Sequence, residues 1–369
     1  MNMNVSDGRL AALHAESRKL HLCEFWSEIK ALERVDPPEA WRPHVWRYEE
    51  IYPRLLQAAD IVPLDQAERR AVVFRNPAFP ERIATTPTHY AAYSLYNGGE
   101  QASVHRHTAN AVRIGLQGTG GYTTVERTKY LLDRGDLVLT PNWTWHDHGN
   151  DGHEPNVWFD ILDVPLVVHT NCLFFDFDYF EQEGGEPRRR RVQTPARTLG
   201  AKDLQFAGAS ADPRSIGPGA PCFYPWAATL EALDRLMQLN GSAAAAEGVE
   251  LRGGDGGSAL DTIDLRAIRV GPGSATAERR TSAHTTVLVM AGRGFTEIDG
   301  HRYDWRENDV LYVPNWRWHR HANADPAHPA LLYVMTDTPV MRSMRTLRTQ
   351  QRLPDGRIVP ETVAAAPGR

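Results

Sequence analysis

Apolar residues recur at three- and four-residue intervals between positions 10 and 35, with Leu13, Leu20, Phe25, Trp26, Ile29 and Leu32 set among charges. That spacing predicts a helix ended by Pro37 and Pro38. A second helix is predicted over 48–59, where Ile51, Leu55 and Leu56 share one side. From residue 70 the pattern changes to short alternating or β-branched runs (AVVF, TTVE, DLVLTP, NVWFDILDV) broken by Gly, Pro and Asn, which read as strands and turns. Residues 181–220 and 240–258 are rich in Gly, Ala, Pro and Arg and read as long surface connections, with a helix predicted between them in FYPWAATLEALDRLMQL. Strand patterning resumes at Thr262 and runs to about Thr338, and the polar, Pro-rich tail 354–369 is expected to fray. The chain thus divides into a helical segment 1–68, a β module 69–180, a linker with one helix 181–260, a second β module 261–345 and a tail 346–369.

Charge and cysteine content narrow the classes of function. Forty-one basic against 46 acidic residues give a net charge of −5, so no global positive field exists to hold nucleic acid, and the four arginines at 188–191 read as a solvated loop. No apolar run approaches a bilayer span, and the start of the chain lacks a basic flank followed by an apolar block, so neither a membrane partner nor secretion is expected. Cys23, Cys172 and Cys222 are widely spaced and odd in number, which argues for a reducing, cytoplasmic setting and against a disulfide framework or a CxxC knuckle.

An internal repeat organises the β regions. PNWTWHDHGN at 141–150 and PNWRWHRHAN at 314–323 agree at seven of ten positions, 173 residues apart, while Gly99 matches Gly273 and Gly118 matches Gly292 at 174. One β module therefore occurs twice. Its punctuation, Gly99-x5-His105-x-His107, then Gly118, then Gly135-x5-Pro141-x-Trp143-x2-His146-x3-Asn150, resembles the two motifs of the cupin superfamily, small antiparallel jelly-roll barrels, with Trp143 standing where glycine is usual. The implied fold is mainly β: a bicupin of two jelly-roll barrels with a helical N-terminal segment and a helical inter-barrel linker.

Candidate chemistry concentrates in the first copy. His105 and His107 are two apart, so on a strand both rings share one face with Cα atoms roughly 7 Å apart. His146 follows at a strand end that a barrel brings opposite them, and three imidazoles on one side of a divalent ion leave the other side open. Imidazole suits Fe, Zn, Ni and Cu alike. The usual cupin glutamate is missing, Ala111 and Val112 occupying its place, so a neutral ligand set should favour an anionic chelating ligand. Arg113 shares the inward parity of the histidines, and Asp160 aligns with Val334 as Arg113 does with Val287. Arg113 and Asp160 are read either as an internal ion pair or as a substrate anchor and its partner, and His148, two after His146, as a ligand-facing or an orienting side chain. In the second copy Arg279 and Thr281 replace His105 and His107, so that module is read as structural, with His319 and His321 packed and hydrogen-bonded.

The strings HRHTANAVRIGLQGTGGYTT, RGDLVLTPNWTWHDHGNDGHEP and VWFDILDVPLV resemble the gentisate 1,2-dioxygenase family and its salicylate-cleaving relatives, and the similarity extends through AWRPHVWRYEEI, AERRAVVFRNP, TPTHYAAYSLYNGGE and FYPWAATLEAL. The resemblance implies Fe(II) on His105, His107 and His146, a pocket lined by Arg69, Arg113, His148 and Asp160 with Tyr90, Ala92 and Ser94 beside it, and a homotetramer. Its partners would be a small aromatic carboxylate and O2. It implies opening of a 2-hydroxybenzoate ring between the carboxyl-bearing and hydroxyl-bearing carbons, gentisate to maleylpyruvate first, with another 5-substituted salicylate such as 5-nitrosalicylate, or 1-hydroxy-2-naphthoate, as alternatives. A non-catalytic cupin holding an anion on its metal is the reading from another class. Two departures bear on the substrate: Ala92 stands where salicylate-cleaving relatives have glycine, and Ser94 where glutamine is common.

Overall fold

The structure, a computed structural model, describes residues 7–67, 70–204, 212–240 and 245–360. Two units emerge, Met1–Ala40 and Trp41–Arg369. In the first, the predicted helix is two helices, Asp7–Lys19 and Phe25–Leu32. The break is a left-handed helix terminus: His21 takes φ 57°, its N–H reaches Arg18 O (3.1 Å), and Leu22 N reaches Ser17 O (2.9 Å). Apolar spacing runs on through such a stop, so periodicity alone does not reveal it.

The second unit contains two antiparallel barrels with the same strand order. In the first, Phe223–Tyr224, Leu137–Thr140, Ala111–Gln117, Asn156–Leu162, Tyr90–Tyr96 and Arg70–Val73 form one sheet. The corresponding sheet of the second runs His44–Trp46, Val310–Val313, Thr285–Ala291, Ala330–Thr336, Asp264–Val270 and Ala246–Leu251, with Ser215–Ile216 beyond. Every residue of Tyr90–Tyr96 is buried because both faces of the strand are covered. Ala91, Tyr93 and Leu95 enter a core that also holds Leu288, Tyr312, Tyr333 and Met335 of the second barrel, while Ala92, Ser94 and Tyr96 take the opposite parity. The two barrels therefore share one hydrophobic interior.

The duplication extends beyond the barrels, and its lead-in strands are exchanged. Strand His44–Trp46 and helix Tyr48–Ile61 precede the first barrel, yet the strand pairs with Val310–Tyr312 of the second and Asp309 accepts the N–H of Tyr48 (2.9 Å). Conversely, Phe223–Tyr224 pairs with Leu137–Val138, and Asp136 accepts the N–H of Trp226 (2.8 Å) at the start of helix Trp226–Asn240. Each carboxylate satisfies a helix N–H that has no partner within its own helix. The preceding Gly135 (φ 83°) is required there, since a Cβ would lie 2.4 Å from the Trp226 ring.

A second exchange links the strand ends. Asp163 accepts from Asn110 N (2.8 Å) and from the Thr262 hydroxyl, while Asp337 accepts from His284 N (2.7 Å) and from Thr88 Oγ1 (2.8 Å). Asp163 and Asp337, Asn110 and His284, and Thr88 and Thr262 are each 174 apart, so each barrel's aspartate binds its own backbone and the other barrel's threonine.

The linker carries more structure than its composition suggests. The hairpin Phe180–Glu183 with Glu186–Arg189 carries the start of the basic run on an exposed strand, with Arg189 beside Asp178 (2.9 Å) and Arg190, just past the strand, against Glu183. Of the tail expected to fray, Ile358–Pro360 pairs with Thr349–Arg352, and 361–369 lie outside the described residues.

Burial pushes the Asp337 carboxyl up to about 6, the hydrogen bonds from Thr88 and His284 opposing it. A raised folded pKa favours the fold below the unfolded value, and that contribution is lost as pH rises through about 6. Asp337→Asn, neutral throughout, is therefore expected to gain stability over the parent between pH 4 and 7, by roughly 3 kcal/mol. Urea unfolding at several pH values checks this, and a pH-independent difference contradicts it.

Candidate metal centre and active site

Backbone pairing brings the histidines of the first barrel together. His105 and His146 exchange both backbone hydrogen bonds (3.0 and 2.9 Å), and Arg106–His107 pairs with Phe175–Asp176. The 141–145 loop is tied to the same strand by Trp143 N donating to His107 O (2.7 Å). Trp143 has φ 61°, a left-handed conformation, which is why glycine is usual at that motif position. The Arg106 guanidinium lies over the Trp143 and Trp145 rings (4.5 and 4.4 Å), opposing the conformational cost. Trp316 (φ 59°), with Arg280 over it and over Trp318, repeats the device in the second barrel.

Three imidazoles have their proton position set by the backbone. His105 Nδ1 faces Ser103 O (2.9 Å), His107 Nδ1 faces Ala109 O (2.8 Å) and His146 Nδ1 faces Thr144 O (2.8 Å). A carbonyl only accepts, so each Nδ1 carries the proton and each Nε2 carries the lone pair that binds a metal. Nε2 of His146 is buried with no hydrogen-bond partner among the described residues. Burial, with His105, His107 and Arg113 adding to it, holds His146 well below the ordinary imidazole pKa and so keeps it neutral. These features fit a divalent cation with an affinity for nitrogen.

His148 differs. Its Nδ1 faces the Thr123 hydroxyl (3.1 Å), which can donate or accept, so its protonation is not fixed in the same way. The ligand atoms of His105, His146 and His148 lie within 4.8 Å of one another, and the His107 ring packs against that of His146 (centroids 4.7 Å). All four histidines expected at the site are therefore neighbours.

Arg113 and Asp160 face each other in register on Ala111–Gln117 and Asn156–Leu162, with Nε to Oδ1 3.1 Å and both side chains buried. Arg113 Nη1 also donates to Thr140 Oγ1 (2.6 Å). Asp160 Oδ2 accepts from Ser94 Oγ (2.5 Å) and Trp158 Nε1 (3.1 Å). The two side chains thus form a buried ion pair. Ser94 is engaged in holding Asp160, and Ala92 sits opposite Asp160 in register, clustered with Tyr90, Ala111 and Leu162. Arg69 lies outside the described residues; its neighbour Arg70 binds Glu100 through both Nη atoms.

The second barrel reproduces the frame with different side chains. Arg279 stands opposite His319 as His105 stands opposite His146, and Val287 faces Val334 where Arg113 faces Asp160. His319 Nδ1 still meets a carbonyl, that of Arg317 (3.0 Å), and His321 a threonine, Thr296 (2.8 Å). Phe175, with its ring 5.3 Å from that of His107, and Phe177, 6.0 Å from His105, both about half exposed, are site neighbours that the sequence motifs do not single out. The alternation in FFDFDYF was the available signal.

Comparison with known proteins gives a consistent picture. The Cupin domain family matches residues 92–162 and 267–336. A 5-aminosalicylate 1,2-dioxygenase from Comamonas sp is 31% identical over 350 residues, covering 92% of this chain and 90% of the relative. A gentisate 1,2-dioxygenase from Ralstonia sp is 30% identical, covering 89% and 91%. The crystal structure of a point mutant of the salicylate 1,2-dioxygenase from Pseudoaminobacter salicylatoxidans in complex with gentisate superposes with a TM-score of 0.82 at 25% identity, covering 95% of this chain and 97% of that one.

The buried Arg113–Asp160 pair generates a stability test. Arg113→Val alone leaves a buried carboxylate without its cation and is expected to cost about 3–5 kcal/mol. Adding Asp160→Val recreates the valine pair of the second barrel and should recover most of that loss. Denaturant unfolding of the two variants checks it; additive losses would contradict it.

Proposed function

Because the chain belongs to the gentisate and salicylate 1,2-dioxygenase family of bicupin ring-cleaving dioxygenases, we propose that its first barrel binds Fe(II) through His105, His107 and His146 and opens the ring of a 2-hydroxybenzoate, gentisate first among them. The observation that carries this reading is the set of three imidazoles whose Nδ1 protons are held by backbone carbonyls beside a buried arginine. Ferrous iron, when bound, supplies the Lewis acidity and one-electron chemistry that reaction with O2 requires. The carbon–carbon bond between the carboxyl-bearing and hydroxyl-bearing ring carbons breaks, and one O2 is consumed per ring.

The chain's own groups bind and orient. Arg113, aimed by Asp160 and Thr140, is the fixed cation that meets the substrate carboxylate, with a geometry suited to a forked pair of hydrogen bonds. Asp160 is engaged by Ser94, Trp158 and Arg113, and serves as the orienting partner of the guanidinium. His148, on a hydroxyl that can reverse its hydrogen bond, handles the proton of the substrate hydroxyl. Tyr90, Ala92 and Ser94 shape the ring pocket and Arg69 adds positive charge. Ala92 places a methyl group beside Asp160, so the 5-substituent is the feature on which relatives and this chain diverge. The chain works as a homotetramer in the cytoplasm.

Protein loaded with Fe(II) under anaerobic conditions is expected to take up one O2 per ring with gentisate or a 5-substituted salicylate, measured with an oxygen electrode. Aromatic bound and recovered unchanged in air would replace catalysis with simple ligand binding. His148→Ala should retain iron and lose about 10²–10⁴ in kcat, whereas His107→Ala should lose iron. Loss of iron from the His148 variant would instead assign the metal to His105, His146 and His148.

A further inference from the structure

His107 and the loop that precedes His146 are both tied to one buried carboxylate outside the donor set, that of Asp163. The carbonyl of Ala109 faces His107 Nδ1 (2.8 Å), and the N–H of that same peptide group, belonging to Asn110, donates to Asp163 Oδ1 (2.8 Å). A peptide is planar, so an aspartate that fixes its N–H also fixes the direction of its C=O. A carboxylate on the N–H further polarises the group and strengthens the carbonyl as an acceptor. Asp163 thus reaches the His107 ring through a single peptide unit.

The buried side chain of Asn110 carries the same anchor to the other ligand. Its Nδ2 donates to Asp163 Oδ2 (3.1 Å) and to Thr262 Oγ1 (3.0 Å), and its Oδ1 accepts from the N–H of Asn142 (2.9 Å). A carboxylate at one end and a main-chain N–H at the other leave the amide one consistent orientation. Asn142 lies in the 141–145 loop, where the Thr144 carbonyl faces His146 Nδ1 (2.8 Å) and the Trp143 N–H returns to His107 O (2.7 Å). The last member comes from the second barrel, since Thr262 donates its hydroxyl proton to Asp163 Oδ2.

The repeat supplies a matching clamp that has no triad to serve. Asp337 accepts from His284 N (2.7 Å) and Thr88 Oγ1 (2.8 Å), but Thr281 stands at the position of His107 and puts no imidazole on the corresponding carbonyl. His284 stands at the position of Asn110, and its Nδ1 is engaged with the Tyr312 hydroxyl (2.8 Å). Of the two clamps, the one with an asparagine is the one beside the three histidines.

We propose that Asp163 and Asn110 are positioning residues of the candidate metal centre, and that the second barrel, through Thr262, takes part in aiming His107 and His146. The inference rests on those two histidines being ligands, as in the function proposed above. Partners that orient metal-bound imidazoles are commonly worth about 10- to 100-fold in metal affinity.

Titration of the full chain with Co(II), followed by competition with a chromophoric chelator and by the visible absorption of the bound ion, tests this. Asp163→Asn and Asn110→Ala should each weaken Co(II) binding by about tenfold or more and shift its absorption bands, with Thr262→Val acting in the same direction by a smaller factor. Asp337→Asn and Thr88→Val make the same changes in the other clamp and should leave affinity and bands as in the parent, which a general loosening of the fold would not do. Urea unfolding identifies the variants that fold cooperatively, and Thr262→Val, which keeps the side-chain shape, carries the test if the other two do not. The role is overturned if the folded variants of the first clamp bind Co(II) like the parent, or if Asp337→Asn loses as much as Asp163→Asn, while His107→Ala still abolishes binding. Binding unaffected by His107→Ala would instead overturn the ligand set, and this role with it.

Discussion

Each imidazole of the candidate triad turns Nδ1 to a main-chain carbonyl two residues away, and the carbonyl's inability to donate determines which nitrogen presents a lone pair. The consequence reaches outward from the histidines. Carbonyls can hold the rings only if the backbone is itself fixed, and here it is fixed by the His105–His146 pairing and by the Trp143 N–H on His107 O. That loop in turn needs a left-handed residue, held in place by the Arg106 guanidinium between two indoles. A few backbone hydrogen bonds thus convert a strand pair into a preorganised nitrogen donor set.

The second barrel retains this apparatus, including the His319 contact with a carbonyl and the arginine between tryptophans, but lacks two of the three donors. The apparatus is therefore a property of the repeat, and metal chemistry depends on which side chains occupy it. Duplication also gave the two halves reasons to stay together. Each pairs with the strand that leads into the other and binds the first N–H of the helix that follows that strand, and each aspartate at 163 and 337 reaches across to the other's threonine. Loss of the second set of ligands thus leaves in place the half of the molecule against which the first barrel packs.

Much of this was legible in the sequence because it is local or repeated. HxH parity, the doubled PNWxWHxH string and the coincident loss of Arg113 and Asp160 counterparts are all readable without knowing how distant segments pair. Parity placed Arg113 and Asp160 on the inside but carried no distance, and only the register of their strands brings them to 3.1 Å. The exchanged elements were illegible because His44–Trp46 finds its partner in Val310–Tyr312, more than 260 residues away, and short strands have little signature of their own. The N-terminal helix was read as continuous because apolar spacing passes unbroken through the left-handed turn at His21. Arg279 reads in the sequence as the loss of a ligand, and only the folded barrel shows that it lines a cavity with His319 and His321.

Metal stoichiometry tests the central claim most directly. After anaerobic loading with Fe(II) and removal of excess, elemental analysis should find one iron per chain, with His146→Ala abolishing it and His319→Ala leaving it intact. Two irons per chain, or loss of iron in the His319 variant, would contradict the assignment of the metal to the first barrel alone.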